Sequence, residues 1–189
     1  MYEFLEGCII GDGHLERSGN ARLVYNCKEP EFTSLVAMYM ANLGIGGTTH
    51  TKPNGYGTGF TYQFSSHVSP LLTHMHERWY GTGRKALPEG FILTPRIANI
   101  WYCGDGGFDS DKGYLRQIAI AVHCFSPIER DLLTTQLCQY GFAARQRRAM
   151  IYITKLSIPS FLQWLGPAPA SCYEYKWRYF DYVSPQPKY

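Results

Sequence analysis

The chain has 189 residues, 45% hydrophobic and 17% charged, with 18 Lys and Arg against 15 Asp and Glu. A net charge of +3 is mild for a nucleic-acid binder, and no apolar run approaches the roughly 20 residues that a membrane span requires. The cysteines at 8, 27, 103, 124, 138 and 172 form no CxxC pair, which argues against structural zinc and for free thiols in a reducing, intracellular compartment, either cytoplasm or organelle matrix.

The first segment, Phe4-Leu5-Glu6-Gly7-Cys8-Ile9-Ile10-Gly11-Asp12-Gly13, is apolar, rich in small residues and closed by an acid. It follows Tyr2 and Glu3 directly, with no signal-peptide pattern, so secretion is not expected. Gly7 and Gly11 are four apart, a spacing that lets a second backbone come close to a helix. Ala21 to Cys27 reads as a strand. Pro30 then opens a segment in which Phe32, Leu35, Val36 and Tyr39 recur at helical spacing, and Gly44 is the expected stop. The Asn-Gly pair and clustered glycines between Pro53 and Gly59 carry hairpin-turn chemistry ahead of a strand from Phe60 to Ser65. Ser69-Pro70 opens another helix.

The chain then repeats itself. Ala98-Asn99-Ile100-Trp101-Tyr102-Cys103-Gly104-Asp105-Gly106-Gly107 is a second apolar segment closed by an acid, with small residues at 98, 103 and 104. Gln117 to Cys124 and Met150 to Lys155 are the strand candidates here. Ser126-Pro127-Ile128-Glu129 has the grammar of a capped helix start, Gly141 is its stop, and Ile158-Pro159 opens a last helix. The spacings support a duplication, since 44−30 and 141−127 both give 14. From the Gly stop to the next Pro the interval is 26 in the first copy and 18 in the second, which places eight extra residues in the 53–59 turn. Lys85 follows Asp12 by 73 residues, and Lys176 follows Asp105 by 71.

Each half therefore reads helix, two strands, helix, two strands, helix. The expected fold class is α/β (α+β), with residues 1–88 as the first repeat, 89–94 as a linker and 95–189 as the second repeat. A unit of about 90 residues is small for its own core, and packing the duplicated helices together would solve that problem. Two matched acids on two such helices suggest one shared metal site. An acid at a helix C-terminus faces unpaired carbonyl oxygens, an arrangement that a divalent cation makes favourable. Asp12 and Asp105 with the main-chain carbonyls of Gly11 and Gly104 would give the all-oxygen surroundings that Mg²⁺ prefers.

Basic and amide side chains collect near the strands: Arg17, Arg22, Lys28, His50 and Lys52 in the first half, and Arg116, Gln117, Arg145, Arg147 and Arg148 in the second. Strand alternation could turn one face of each sheet toward base edges, although an ordinary solvated sheet face would look the same. Other patterns fail. A calcium loop starting at Asp105 would need Glu where Arg116 stands, the 81–86 stretch lacks P-loop spacing, and His74 and His76 have no zinc partners.

The two acid-terminated segments resemble the motifs of the LAGLIDADG homing endonucleases in their single-chain, two-motif form. The second is similar to the family's tryptophan-containing variant, here with Gly104-Asp105 in place of two successive acids. The setting is similar too, through Trp79-Tyr80 and Lys85-Ala86-Leu87-Pro88 upstream, Leu93-Thr94-Pro95, and a closing Tyr175-Lys176. The resemblance implies tandem αββαββα repeats about a pseudo-twofold axis, with two antiparallel, saddle-shaped sheets on packed motif helices. It implies Mg²⁺-dependent (or Mn²⁺-dependent) hydrolysis of both strands of a long duplex site, leaving 3′ overhangs, by an intron-encoded monomer. No intein splicing residues frame the chain, so a free-standing enzyme is expected. The resemblance further implies Lys85 and Lys176 beside the scissile phosphates, and His123 and Asn26 where solvent-organising polar residues stand. An intron maturase binding RNA, or a non-catalytic DNA-binding relative, are the alternatives.

Overall fold

The computed structural model describes residues 2–53, 59–111 and 114–179, so most of the long turn expected after Pro53 lies outside the described residues. The chain runs α1 (Glu3–Ile10), β1 (Gly13–Ser18), β2 (Asn20–Cys27), α2 (Pro30–Asn42), β3 (Gly47–Pro53), β4 (Phe60–Ser66) and α3 (Pro70–Tyr80). It continues α4 (Pro95–Asp105), β5 (Gly106–Asp111), β6 (Tyr114–Ala121), α5 (Pro127–Gln139), β7 (Ala144–Arg147), β8 (Met150–Thr154) and α6 (Ile158–Leu165), closing in a 3₁₀ turn over Ser171–Trp177. The strands form two antiparallel four-stranded sheets of the same order, β1-β2-β4-β3 and β5-β6-β8-β7. This is the expected α+β architecture, with the order of elements repeated.

Local chemistry explains most boundaries. Prolines occupy the first turns of α2, α3, α4, α5 and α6, where the missing N–H costs nothing. Ser69 and Thr94 cap α3 and α4 through their hydroxyls, and Ser126 with Glu129 forms a reciprocal capping box on α5. Gly44 and Gly141 follow α2 and α5 with φ of 73° and 89°, the left-handed conformation that glycine adopts without strain.

Two strands stop short of the sequence reading. The strand expected over Gln117 to Cys124 ends at Ala121, so His123 stands in a turn and not on a strand. The Arg130 guanidinium donates to the Val122 and His123 carbonyls at 3.0 and 3.1 Å, which holds the turn that follows the strand. Likewise β8 stops at Thr154, and Lys155 begins a 3₁₀ turn.

The core lies where the sheets and outer helices close over α1 and α4. Ala21, Leu23, Tyr25 and Cys27 of β2 are buried at period two, as are Ile118 and Ile120 of β6 and Ile151 and Ile153 of β8. α4 is buried at every residue from Ile97 to Cys103, and α1 at Phe4, Leu5 and Gly7 to Ile10. A helix apolar all round belongs in an interior. Gly7 sets the approach of the two helices, because a Cβ there would lie 2.6 Å from the Ile100 Cβ and 3.0 Å from the Ile97 carbonyl oxygen.

Gly7→Ala should therefore cost about 1–3 kcal/mol through overpacking against α4. Gly107→Ala, where an added Cβ has no neighbour within 4 Å, should stay within about 0.5 kcal/mol. Chemical denaturation of both variants tests the contrast, and equal midpoints would contradict it.

Candidate active site

Asp12 follows α1 through Gly11, and Asp105 is the last residue of α4. Their carboxylates cross. A Cβ on Gly104 would fall 2.8 Å from Asp12 Oδ2, and one on Gly11 would fall 3.8 Å from Asp105 Oδ2. Each acid thus reaches to the end of the other motif helix, and at Gly104 the missing side chain leaves room for Asp12. Trp101, one turn before Asp105, donates its indole N–H to Asp105 Oδ2 at 3.2 Å. Cys8 occupies the corresponding position before Asp12, so only the second acid has this support.

Both expected lysines meet the helix ends. Lys85 Nζ donates to the carbonyls of Gly11 at 2.8 Å and Gly13 at 3.2 Å. Lys176 Nζ donates to Tyr102 at 3.3 Å, Cys103 at 2.5 Å and Gly106 at 2.6 Å. Cations suit helix C-termini, whose carbonyls carry partial negative charge. Lys176 is buried, with Nζ 5.2 Å from the ring centre of Tyr173 and 5.7 Å from that of Tyr102.

Burial dominates the electrostatics. It raises the Asp12 carboxyl above its usual range, against the opposing charges of Lys176 and then Lys85. It likewise raises Asp105 to about 7, reinforced by repulsion from Asp12 and opposed first by Lys85. Burial also lowers the ammonium groups of Lys85 and Lys176, each partly restored by both acids. Sequence spacing pairs Lys85 with Asp12, yet Lys85 binds the carbonyl of Gly11, the residue that Asp105 approaches. Lys176 likewise lines one cleft with Asp12 and Gly104.

The other expected residues divide. Asn26 and Lys28 line one cleft with Asp12, Gly104 and Lys176, with Tyr173 and Tyr175 on its wall. His123 is exposed in its turn, and the neighbouring Cys124 thiol is the group within reach of the charges of Lys85 and Asp105. In the first sheet Arg22 and Asn26 alternate with the buried residues of β2, and pairing of Asn26 with Gln63, and of Gln63 with His50, puts His50 and Lys52 on the same open face. Arg17 lies on the opposite face, level with buried Ala21, and pairs with Glu77 of α3 at 3.0 Å, so it is corrected from a sheet-face contact to a helix contact. In the second sheet Gln117, Arg145 and Arg147 share the open face, where Arg145 donates to Gln117 at 3.0 Å and Gln117 to Asp109 at 2.6 Å. Arg116 is the extra residue of a bulge in β6, and Arg148 occupies the β7–β8 turn with a φ of 56°.

Sequence reasoning missed three supports. Trp101 was visible at i and i+4 from Asp105. Glu129 was legible only as a cap, although it also binds Arg84 and the Leu87 amide, and Glu31 accepts from the 171–172 backbone. The donor set fits a hard divalent cation: two carboxylates converge beside helix-end carbonyl oxygens, and Gly11 O retains a lone pair beyond its bond from Lys85. Among the described residues no group of three or more His, Cys, Asp and Glu converges anywhere, so the two acids here rely on carbonyl oxygens to complete a donor set.

The chain matches the family model of the LAGLIDADG DNA endonuclease family over residues 2–161. It is 26% identical over 148 residues to an uncharacterized protein of Methanocaldococcus jannaschii, covering 75% of this chain and 57% of that protein. It is 28% identical over 202 residues to Protein RecA of Mycobacterium leprae, covering 93% and 27% respectively. It is 29% identical over 119 residues to the cytochrome b mRNA maturase bI2 of Debaryomyces hansenii, covering 57% and 45%. The chain thus spans between 27% and 57% of the length of these relatives. Among solved structures, the homing endonuclease I-WcaI bound to its DNA recognition sequence superposes with a TM-score of 0.74 at 15% identity, over 92% of this chain and 84% of that one. I-DmoI in complex with DNA and Mn superposes at 0.54 and 14% identity over 86% and 94%, and a further I-DmoI complex holds Ca. Identities this low show a shared fold.

The raised Asp105 carboxyl has a consequence for the metal-free protein. Its folded pKa of about 7 lies above the ordinary carboxylate value of 3.8, so between these values the folded state holds a proton that the unfolded state has released. This group's contribution to stability therefore falls as pH rises through that window. In chelator, Asp105→Asn should raise the melting temperature more at pH 8 than at pH 5. An equal change at both values would contradict the shift.

Proposed function

The chain belongs to the LAGLIDADG DNA endonuclease family, and from that premise we propose that it is a site-specific, divalent-metal-dependent endonuclease that cuts both strands of a long, asymmetric duplex. The observation that carries this reading is the crossing of the Asp12 and Asp105 carboxylates between two lysine-braced helix ends. Asp12 and Asp105, with the Gly11 and Gly104 carbonyls, would hold Mg²⁺ or Mn²⁺. The bound metal would supply an activated water and charge neutralisation at the departing 3′ oxygen. Lys85 and Lys176 would add positive charge at each reacting phosphate, with Asn26 ordering solvent beside Asp12. His123 would reach solvent from its turn, less directly.

We take residues 1–88 and 95–189 as two DNA-contacting units joined by 89–94. Arg22, His50 and Lys52 on one open face, and Gln117, Arg145 and Arg147 on the other, would meet the duplex, with Lys28, Arg116 and Arg148 at the margins. Because both acids lie in one chain, the reading is of a monomer, and the staggered cut would leave 3′ overhangs. A second reading, an intron maturase acting on RNA, is favoured only by the similarity to the Debaryomyces maturase.

Incubation of the uninterrupted allele of the host locus with protein and Mg²⁺ should give one metal-dependent double-strand cut that EDTA abolishes. Asp12→Asn and Asp105→Asn should each lower cleavage at least about a hundredfold while DNA binding persists. Full activity in either variant would contradict the metal assignment, and tighter binding to intron RNA than to DNA would favour the maturase. Arg147→Ala should weaken DNA binding and reduce its salt dependence by about one unit of slope. Unchanged binding would remove that residue from the interface.

A further inference from the structure

Each lysine segment is held by a glutamate from the opposite repeat. Glu129, near the start of α5 with its side chain 13% exposed, accepts the Leu87 amide at 2.8 Å and Arg84 Nη2 at 2.9 Å. These two donors flank Lys85, whose own ammonium is fixed on Gly11 and Gly13. Glu31, near the start of α2, accepts the Ser171 amide at 2.9 Å, the Ser171 hydroxyl at 2.8 Å and the Cys172 amide at 3.0 Å. Those donors open the 3₁₀ turn that carries Lys176, whose ammonium is fixed on Cys103 and Gly106. Each segment thus spans the contact between the repeats, with its lysine on its own motif helix and its anchor on the other repeat.

Helix capping does not account for these bonds. The capping box on α5 needs only the Ser126 amide, which Glu129 accepts at 2.7 Å while also binding Arg84 and Leu87. Glu31 serves no cap, since α2 has no side-chain capping bond and both Glu31 oxygens are directed at residues 171 and 172. The same linkage is therefore built twice, from different donors, at equivalent ends of two helices. Charged acceptors of main-chain amides make strong, directional bonds, and a small displacement of a reacting group is costly in rate.

We propose, on the endonuclease reading above, that Glu129 and Glu31 are positioning residues, each fixing the lysine segment of the other repeat against the carboxylate that crosses to it. Glu129 sets the place of Lys85 beside Asp105, and Glu31 sets that of Lys176 beside Asp12. The effect of Glu129 is the larger, because its bonds flank the lysine directly and are less exposed. Each glutamate then bears on one reacting phosphate and not on both.

The test combines two measurements on the full chain, with Glu129→Ala, Arg84→Met and Glu31→Ala. Arg84→Met leaves the cap on α5 in place and so covers the case in which Glu129→Ala folds poorly. Reductive methylation followed by mass spectrometry should show Lys85 modified several-fold faster in the first two variants with Lys176 unchanged, and the converse in Glu31→Ala. Single-turnover cleavage with each strand labelled should show Glu129→Ala slowing one strand by about tenfold or more, with Glu31→Ala slowing the other. Equal exposure of both lysines in each variant, or equal slowing of both strands, would mean general loosening and would overturn the proposal. If the unsubstituted protein cuts no duplex, the endonuclease reading fails, and the lysine reactivities alone decide whether the glutamates hold the segments.

Discussion

The arrangement rests on the close contact of α1 and α4, which glycine alone permits. At Gly7 a single methyl group would overlap Ile100, and at Gly104 it would meet the Asp12 carboxylate. The first contact brings the helix backbones together, and the second leaves the space into which an acid from the opposite repeat projects. Because the carboxylates approach across this contact, the candidate site draws on both repeats. The duplicated elements around the helices, two sheets of identical strand order with their outer helices, close the core over this contact and turn their open faces outward.

Such proximity concentrates charge. Lost hydration, reinforced by repulsion from Asp12, raises the Asp105 carboxyl to about 7. Two lysines oppose that charge while also satisfying helix-end carbonyls. A positive charge placed between the acids would relieve the repulsion that Asp12 exerts on Asp105. The lysines remain tied to the protein by several bonds each, so their charges stay fixed while the acids are free to take ligands.

Much of this was legible in the sequence because it is carried by local patterns. The repeat, both acids, both lysines, the proline helix starts and the Gly44 and Gly141 stops all follow from spacing and residue type. The crossing of the acids was not legible, because spacing along the chain pairs Asp12 with Lys85, whereas packing brings Asp105 to the helix end that Lys85 binds and Asp12 into one cleft with Lys176. Alternation in a strand reports two faces without saying which one a helix covers, which is why Arg17 was read outward although it pairs with Glu77. His123 was displaced by Arg130, eight residues from Val122, whose reach to two carbonyls no strand pattern encodes. Glu129 announced itself as a cap, and its longer-range bonds depend on a chain segment more than forty residues away.

The central claim is that Asp12 and Asp105 form one site and not two. A double-mutant cycle on divalent-cation binding, by calorimetric titration of Mn²⁺ into the intact protein, Asp12→Asn, Asp105→Asn and the double variant, measures this most directly. Shared coordination predicts that either single substitution removes most of the binding and that the double variant loses little more. Additive losses, or cation binding that neither substitution affects, would contradict it.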